Sequence, residues 1–264
     1  MKLLKKFGLI LALSVGIAAN CSANPMPPDP SIDYDSQLHL FARQNQIWDK
    51  GMCLEEAIGQ DGQLVITDLD NNGRLELLFT TTAGREEYIE NWGFEVNEDG
   101  NGVVLIKSCE MIDTTVLRQE NVPMFFACQE NKYYYLFPKF KWISRSDTFC
   151  ERFDGQSSLC LDQGEFKTEL LTFSIKSYDK PDLPPAEVKY YDSLNKPISQ
   201  AEYEAIPPTH FQYHHPHEVT LGWEPLESLA KVKNDPNLIH DLFAKSWSKY
   251  RVEALPEGPD GVHG

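Results

Sequence analysis

Residues Ile66–Phe79 read ITDLDNNGRLELLF. Apolar runs of strand length flank a polar centre that carries Asn71, Asn72 and Gly73, the residue types that turn a chain tightly. The pattern predicts two strands joined by a short loop, and it sets the class of the whole chain as sheet-rich rather than helical. The loop also carries acids at Asp68, Asp70 and Glu76, more negative charge than a turn requires. Like charges crowded this closely repel unless an ion or a basic neighbour neutralises them, and Arg74 is the only local cation.

A hard cation such as calcium takes six to eight oxygens, and a loop that bends at a glycine can supply them from alternate residues. Asp68, Asp70 and Asn72 stand at positions one, three and five of such a loop, with the carbonyl of Arg74 at seven and Glu76 at nine. An EF-hand needs a glutamate at position twelve and flanking helices. Here position twelve is Phe79 and the flanks read as strands, so an EF-hand is excluded. The motif resembles the calcium loops of FG-GAP and VCBS-type repeat proteins. Those families repeat the loop in every propeller blade, and its single copy here argues against a propeller. The segments Thr67–Glu76, Phe94–Gly102, Lys132–Phe137 and Tyr190–Ala205 are also similar, in that order, to uncharacterised exported proteins of gut-associated bacteria. That resemblance implies an order of elements and no activity.

Outward from the loop, further strands are expected at EYIENWGFEV, GVVLIKS, TVLR, VPMFFA, YYYLFPKF and FKTELLTFSIKSY, with NEDGNG (Asn97–Gly102) as a hairpin turn. Short connections favour an antiparallel meander. Ser144–Gly164 reads as a polar loop, and EVKYYD as the last strand. Helices are expected at both ends: Ser36–Asp49, capped by Ser36; a short one opened by the capping box Ser199/Glu202; and Asn237–Tyr250, capped by Asp235, with Leu238, Leu242, Phe243, Trp247 and Tyr250 on one face. The expected class is α+β, a single domain over residues 36–255, with no propeller.

Lys2, Lys5 and Lys6 precede an apolar run too short to span a bilayer, which reads as an export signal over residues 1–23. Cleavage after Ala23 gives a secreted or periplasmic protein; the alternative is lipid anchoring at Cys21. A proline-rich linker (24–35) and an acidic tail (256–264) flank the domain, and no later segment is apolar enough to cross a membrane. Loss of the signal would move the charge from −16 to −19, which disfavours nucleic acid as a partner. An oxidising compartment permits disulfides, for which Cys150–Cys160 and Cys109–Cys128 are the candidate pairs.

HFQYHHPHE concentrates His210, His214, His215 and His217, four potential ligands for a second metal, although nearby prolines favour a solvated loop. Tyr133, Tyr134 and Tyr135 with Phe137, Phe140 and Trp142 read as a strand with one buried side, or else as a sugar-binding face. No HExxH, GxSxG or SxxK motif occurs. The residues point to a non-catalytic envelope or extracellular binding protein with one structural calcium, no organic cofactor, and an unidentified protein or glycan ligand. The alternatives are an extracytoplasmic hydrolase using clustered carboxylates or a histidine-bound metal, and an inhibitor or adhesion factor.

Overall fold

The computed structural model describes residues 31–44, 62–83, 88–109, 117–119, 121–127, 129–145, 149–179 and 183–255. Residues 1–23, where an export signal is expected, lie outside the described residues, as do Cys21, Cys53, Cys128, most of the expected linker and the acidic tail. Among the described residues, two antiparallel sheets and four helices make up an α+β fold without a propeller. The first sheet joins β1 (Gln63–Thr67), β2 (Glu76–Ala83), β3 (Tyr88–Val96) and β4 (Val103–Leu105) as a meander, with β12 (Glu224–Pro225) on its free edge beside β1. The second runs β10 (Pro197–Ile198), β9 (Glu187–Asp192), β8 (Glu165–Tyr178), β7 (Cys150–Asp162), β6 (Lys132–Arg145), β5 (Val122–Ala127), β11 (His215–Thr220) and β13 (Arg251–Ala254). The helices are α1 (Tyr34–Arg43), α2 (Gln200–His210), α3 (Leu226–Val232) and α4 (Pro236–Trp247).

The strands around the opening motif are apolar on both faces because both faces are covered. Leu64 and Ile66 of β1, with Leu77 and Phe79 of β2, pack against Phe41 of α1, Leu229 of α3 and Phe243 of α4. Val65 and Leu78 point the opposite way, into a second core with Met124, Tyr135 and Leu159 of the other sheet. The first sheet is therefore the middle of three layers, α1, α3 and α4 on one side and the second sheet on the other, while α2 lies on the second sheet. Alternate residues of one strand feed two separate cores, as the two-residue period of a strand dictates. Lys107 stitches the sheets together through backbone bonds, its N–H to Gly164 and its carbonyl from Phe166. None of the described helices is long and apolar enough to cross a membrane.

Several expectations are corrected. The presumed loop at Ser144–Gly164 contains β7, thirteen residues long and paired along its length with β6 and β8. Its DGQSS core has poor strand propensity, but Asp154 is held by Arg152 at 2.6 Å and Lys176 at 3.0 Å, and Gly155 lies under Phe153 and Leu170. The actual turn is at Gln163 and Gly164, both with positive φ as a two-residue hairpin requires. The Cys150–Cys160 disulfide is ruled out by the same strand. Ten residues of extended chain separate the two by about 33 Å, whereas a bridge needs Cα atoms about 5.5–6 Å apart. Both thiols are free and buried. Cys109 is buried as well, and its proposed partner Cys128 lies outside the described residues.

At the helices, Asp33 rather than Ser36 caps α1, accepting from the Ser36 N–H at 3.0 Å, so the linker ends earlier than expected. The Ser199/Glu202 box and the Asp235 cap are present. The buried face of α4 is Ile239, Leu242, Phe243 and Ser246, with Leu238 turned to solvent. Strands β10, β11, β12 and β13 follow the strand expected to be last.

Ser246 shows why a polar residue sits on that face. Its hydroxyl accepts from the Ile66 N–H at 2.9 Å and donates to the Gly222 carbonyl at 2.6 Å, tying α4 to the middle sheet. A Cβ on Gly222 would collide with the Ser246 carbonyl. Gly222→Ala and Ser246→Ala should each lower stability by about 1–3 kcal/mol, the first by overpacking and the second by leaving a buried N–H unpaired. Urea midpoints measure this, and unchanged midpoints would show that the contact carries no weight.

Candidate metal centre

The register pairs Thr67 with Glu76, so residues 68–75 form the loop that closes the β1–β2 hairpin. Asn71 and Gly73 take positive φ, and a side chain on Gly73 would run into Ile32. Asp68 folds the loop over itself: its Oδ1 accepts from the Asn72 N–H at 3.0 Å and its Oδ2 from the Gly73 N–H at 3.1 Å. Glu76 reaches back across the hairpin, and its Oε2 accepts from the Leu69 N–H at 2.8 Å.

Each layer of the fold also grips this loop. Tyr135 of β6 donates to the Leu69 carbonyl at 2.5 Å, and Tyr250, beyond α4, donates to the Asp68 carbonyl at 2.7 Å. From α1, the Gln37 amide donates to the Gly73 carbonyl and accepts from the Leu75 N–H, both at 2.8 Å. Asn71 donates to the Tyr133 hydroxyl at 3.1 Å.

Carboxylate oxygens of Asp68, Asp70 and Glu76 converge within 4.8 Å of one another. Asp68 and Glu76 are almost fully buried and Asp70 is half-buried. Burial, and then repulsion from Asp70, push the Asp68 carboxyl up to about 7. Burial and the Glu95 charge push Asp70 up to about 6. Glu76, desolvated and facing both aspartates, rises well above its ordinary value. For Asp68, the move from 3.8 to about 7 is on the order of 4 kcal/mol against the ionised form. A side chain that caps local backbone N–H groups typically returns about 0.5–2 kcal/mol, too little to hold this charge in place. Glu76 Oε1 is buried and has no hydrogen-bond partner among the described residues.

Arg74 does not neutralise the three acids directly. Its guanidinium pairs with Glu95 of β3 at 2.7 Å, and it reaches Glu98 only at 4.0 Å. Asn72 acts as a brace: its Oδ1 accepts from the Arg74 N–H at 2.7 Å, while its amide donates to Asp70 at 2.8 Å and Glu95 at 2.9 Å. Of the expected ligands, then, Asp68, Asp70 and Glu76 come together, and the Asn72 oxygen is turned to the backbone. Glu95 joins the site from outside the loop motif. It lies directly opposite Glu76 in the β2–β3 register and is buried, an arrangement that strand spacing within one segment does not reveal. The tyrosines and Gln37 come from distant parts of the chain and carry no local signal.

The histidine segment is not one loop: His210 ends α2, His214 lies in the turn that follows, and His215 and His217 belong to β11. His210 and His214 have ring centroids 6.4 Å apart, His210 lies 3.8 Å from Glu169, and the His217 Nδ1 lies 3.0 Å from the carbonyl of His215. No three potential ligands from His210, His214, His215 and His217 converge among the described residues. Burial lowers the basicity of His214 and His217. In the aromatic strand Tyr135 and Phe137 are buried while Phe140 is exposed, which fits packing on one side. A cleft of about 370 Å³ lies between α2 and the second sheet, walled by Phe125, Leu136, Pro207 and Phe211, with Gln156, Tyr203 and Glu204 bringing polar atoms. Neither the three acids nor the histidines line it.

No protein-family model, curated protein or solved structure matches this chain.

Acids with raised folded-state values bind protons more tightly when folded than when unfolded. In chelator, stability should therefore fall as pH rises from about 4 to about 7, the interval between the ordinary and the shifted values of the two aspartates. Glu76→Gln, which keeps the acceptor for Leu69 and removes a buried charge, should stabilise the metal-free protein at pH 8 and flatten the trend. Thermal midpoints across pH in EDTA check both; a Glu76→Gln variant with the parent's midpoint and slope would contradict the electrostatic account.

Proposed function

We propose that the protein is an exported, non-catalytic binding or envelope-associated domain braced by one calcium ion in the Asp68–Glu76 loop. The observation that carries this reading is the unpartnered, buried Glu76 Oε1 within reach of two further buried or half-buried carboxylates. A hard cation answers all three and relieves their repulsion, with Asp68, Asp70, Glu76 and the Arg74 carbonyl as its protein ligands. The loop's burial between the layers favours a structural role, because a substrate has no approach to Asp68 or Glu76.

The hydrolase alternative has less support. The cleft under α2 holds one carboxylate, Glu204, beside the neutral Gln156, whereas glycoside hydrolysis uses a facing pair of acids. Its apolar wall with a few polar side chains, Gln156, Tyr203 and Glu204, fits the general character of a ligand site, and it is here that we place the protein or glycan ligand.

Calcium sites of extracellular modules bind at about 10⁻⁴–10⁻³ M. At about 10 mM calcium, mass action then stabilises the fold by about 1.4–2.7 kcal/mol, roughly 3–10 °C in melting temperature for a domain of this size. Differential scanning fluorimetry with calcium and with EDTA should show that rise, and Asp68→Asn and Asp70→Asn should abolish it. A melting temperature indifferent to calcium, in protein that contains no metal as purified, would overturn the reading.

A further inference from the structure

The packing of α1 against α4 assembles a second set of metal-ligating side chains, separate from the acidic loop. Asp35 and His39 stand one helical turn apart on α1, and His240 comes from α4. Their ligand atoms lie within 4.8 Å of one another. His240 Nε2 is 2.9 Å from Asp35 Oδ1, and His39 Nε2 is 3.6 Å from Asp35 Oδ2.

Zinc bound tetrahedrally at about 2.0–2.1 Å from imidazole nitrogen and carboxylate oxygen sets its ligand atoms about 3.3 Å from one another. The two observed separations, one to each oxygen of Asp35, bracket that edge, and a common ion requires the carboxylate to rotate so that one oxygen faces both rings. The imidazole rings are stacked, 3.8 Å between centroids with planes 16° apart, and one must turn to bring both nitrogens to a common ion. His39, whose side chain is 38% exposed, has room to turn, while His240 is held between the helices at 14%. Asp241 Oδ1 lies 3.5 Å from the other nitrogen of His240, the place where zinc-binding histidines carry an orienting carboxylate. Two imidazoles and one carboxylate leave a fourth tetrahedral position for water on the exposed side. That donor set suits zinc and related borderline metals, and is unlike the all-oxygen set of the loop.

We propose that Asp35, His39 and His240 form a zinc site that clamps α1 to α4. This inference does not depend on calcium in the loop. Isothermal titration of the full chain with zinc chloride, in saturating calcium, tests it together with cobalt(II), whose visible absorption reports tetrahedral coordination. One ion should bind with the cobalt band of a nitrogen- and oxygen-ligated site. Asp35→Ala, His39→Ala and His240→Ala should each weaken zinc binding more than about 10-fold, and Asp241→Ala about 10-fold. Asp68→Asn should leave zinc binding unchanged, and His240→Ala should leave the calcium response unchanged. Because Asp35 and His39 are surface groups, their variants keep the test valid if His240→Ala does not fold. Absence of zinc binding, or zinc binding that survives the Asp35 and His39 variants or is lost with Asp68→Asn or with His214→Ala and His215→Ala, would overturn the proposal.

Discussion

Three carboxylates drawn into one loop between the layers are the constraint to which the rest of the structure responds. Charge of one sign in a desolvated place is costly, and the fold meets that cost with donors taken from every direction. Backbone N–H groups of Leu69, Asn72 and Gly73 point at Glu76 and Asp68. Tyr135 from the second sheet, Tyr250 from the segment joining α4 to β13 and Gln37 from α1 fix the loop backbone. The loop is thus a meeting point for segments separated by up to 182 residues. Arg74, engaged with Glu95, offsets one acid of four and leaves a remainder that suits a divalent ion.

The same loop explains why the first sheet sits in the middle. Its strands are buried on both faces, so the polar groups at the end of the β1–β2 hairpin cannot fall back on solvent and must be answered inside the molecule. The helical layer answers through Gln37, the second sheet through Tyr133 and Tyr135, and the segment between α4 and β13 through Tyr250. The backbone bridge at Lys107 and the Ser246 hydroxyl hold the layers together away from the loop. An ion in the loop would consequently act on the alignment of all three layers and not on one turn alone.

Much of this architecture is legible in local sequence. The hairpin, the Asn97–Gly102 turn, the capping box at Ser199 and the cap at Asp235 each rest on residues close together in the chain, and each is present as expected. What escaped notice depends on partners far away. Strand β7 has weak propensity of its own and exists because β6 and β8 hydrogen-bond to both of its edges. His215 and His217 read as loop residues until β5 and β13 pair with them. The metal centre divides in the same way: Asp68, Asp70 and Glu76 are visible as a spaced motif, whereas Glu95 joins them only through register. The pair Asp35 and His39 is an ordinary helical spacing until His240 arrives from a helix some two hundred residues later.

The central claim is that the buried acids of the loop are satisfied by a cation. It is tested most directly by a crystal structure of protein prepared in calcium, at a resolution that separates ion from water. The account predicts a single ion about 2.3–2.6 Å from oxygens of Asp68, Asp70 and Glu76 and from the Arg74 carbonyl, with Glu76 Oε1 among its ligands. A loop without an ion, in which Glu76 Oε1 meets a water or shares a proton with a neighbouring aspartate, would contradict it.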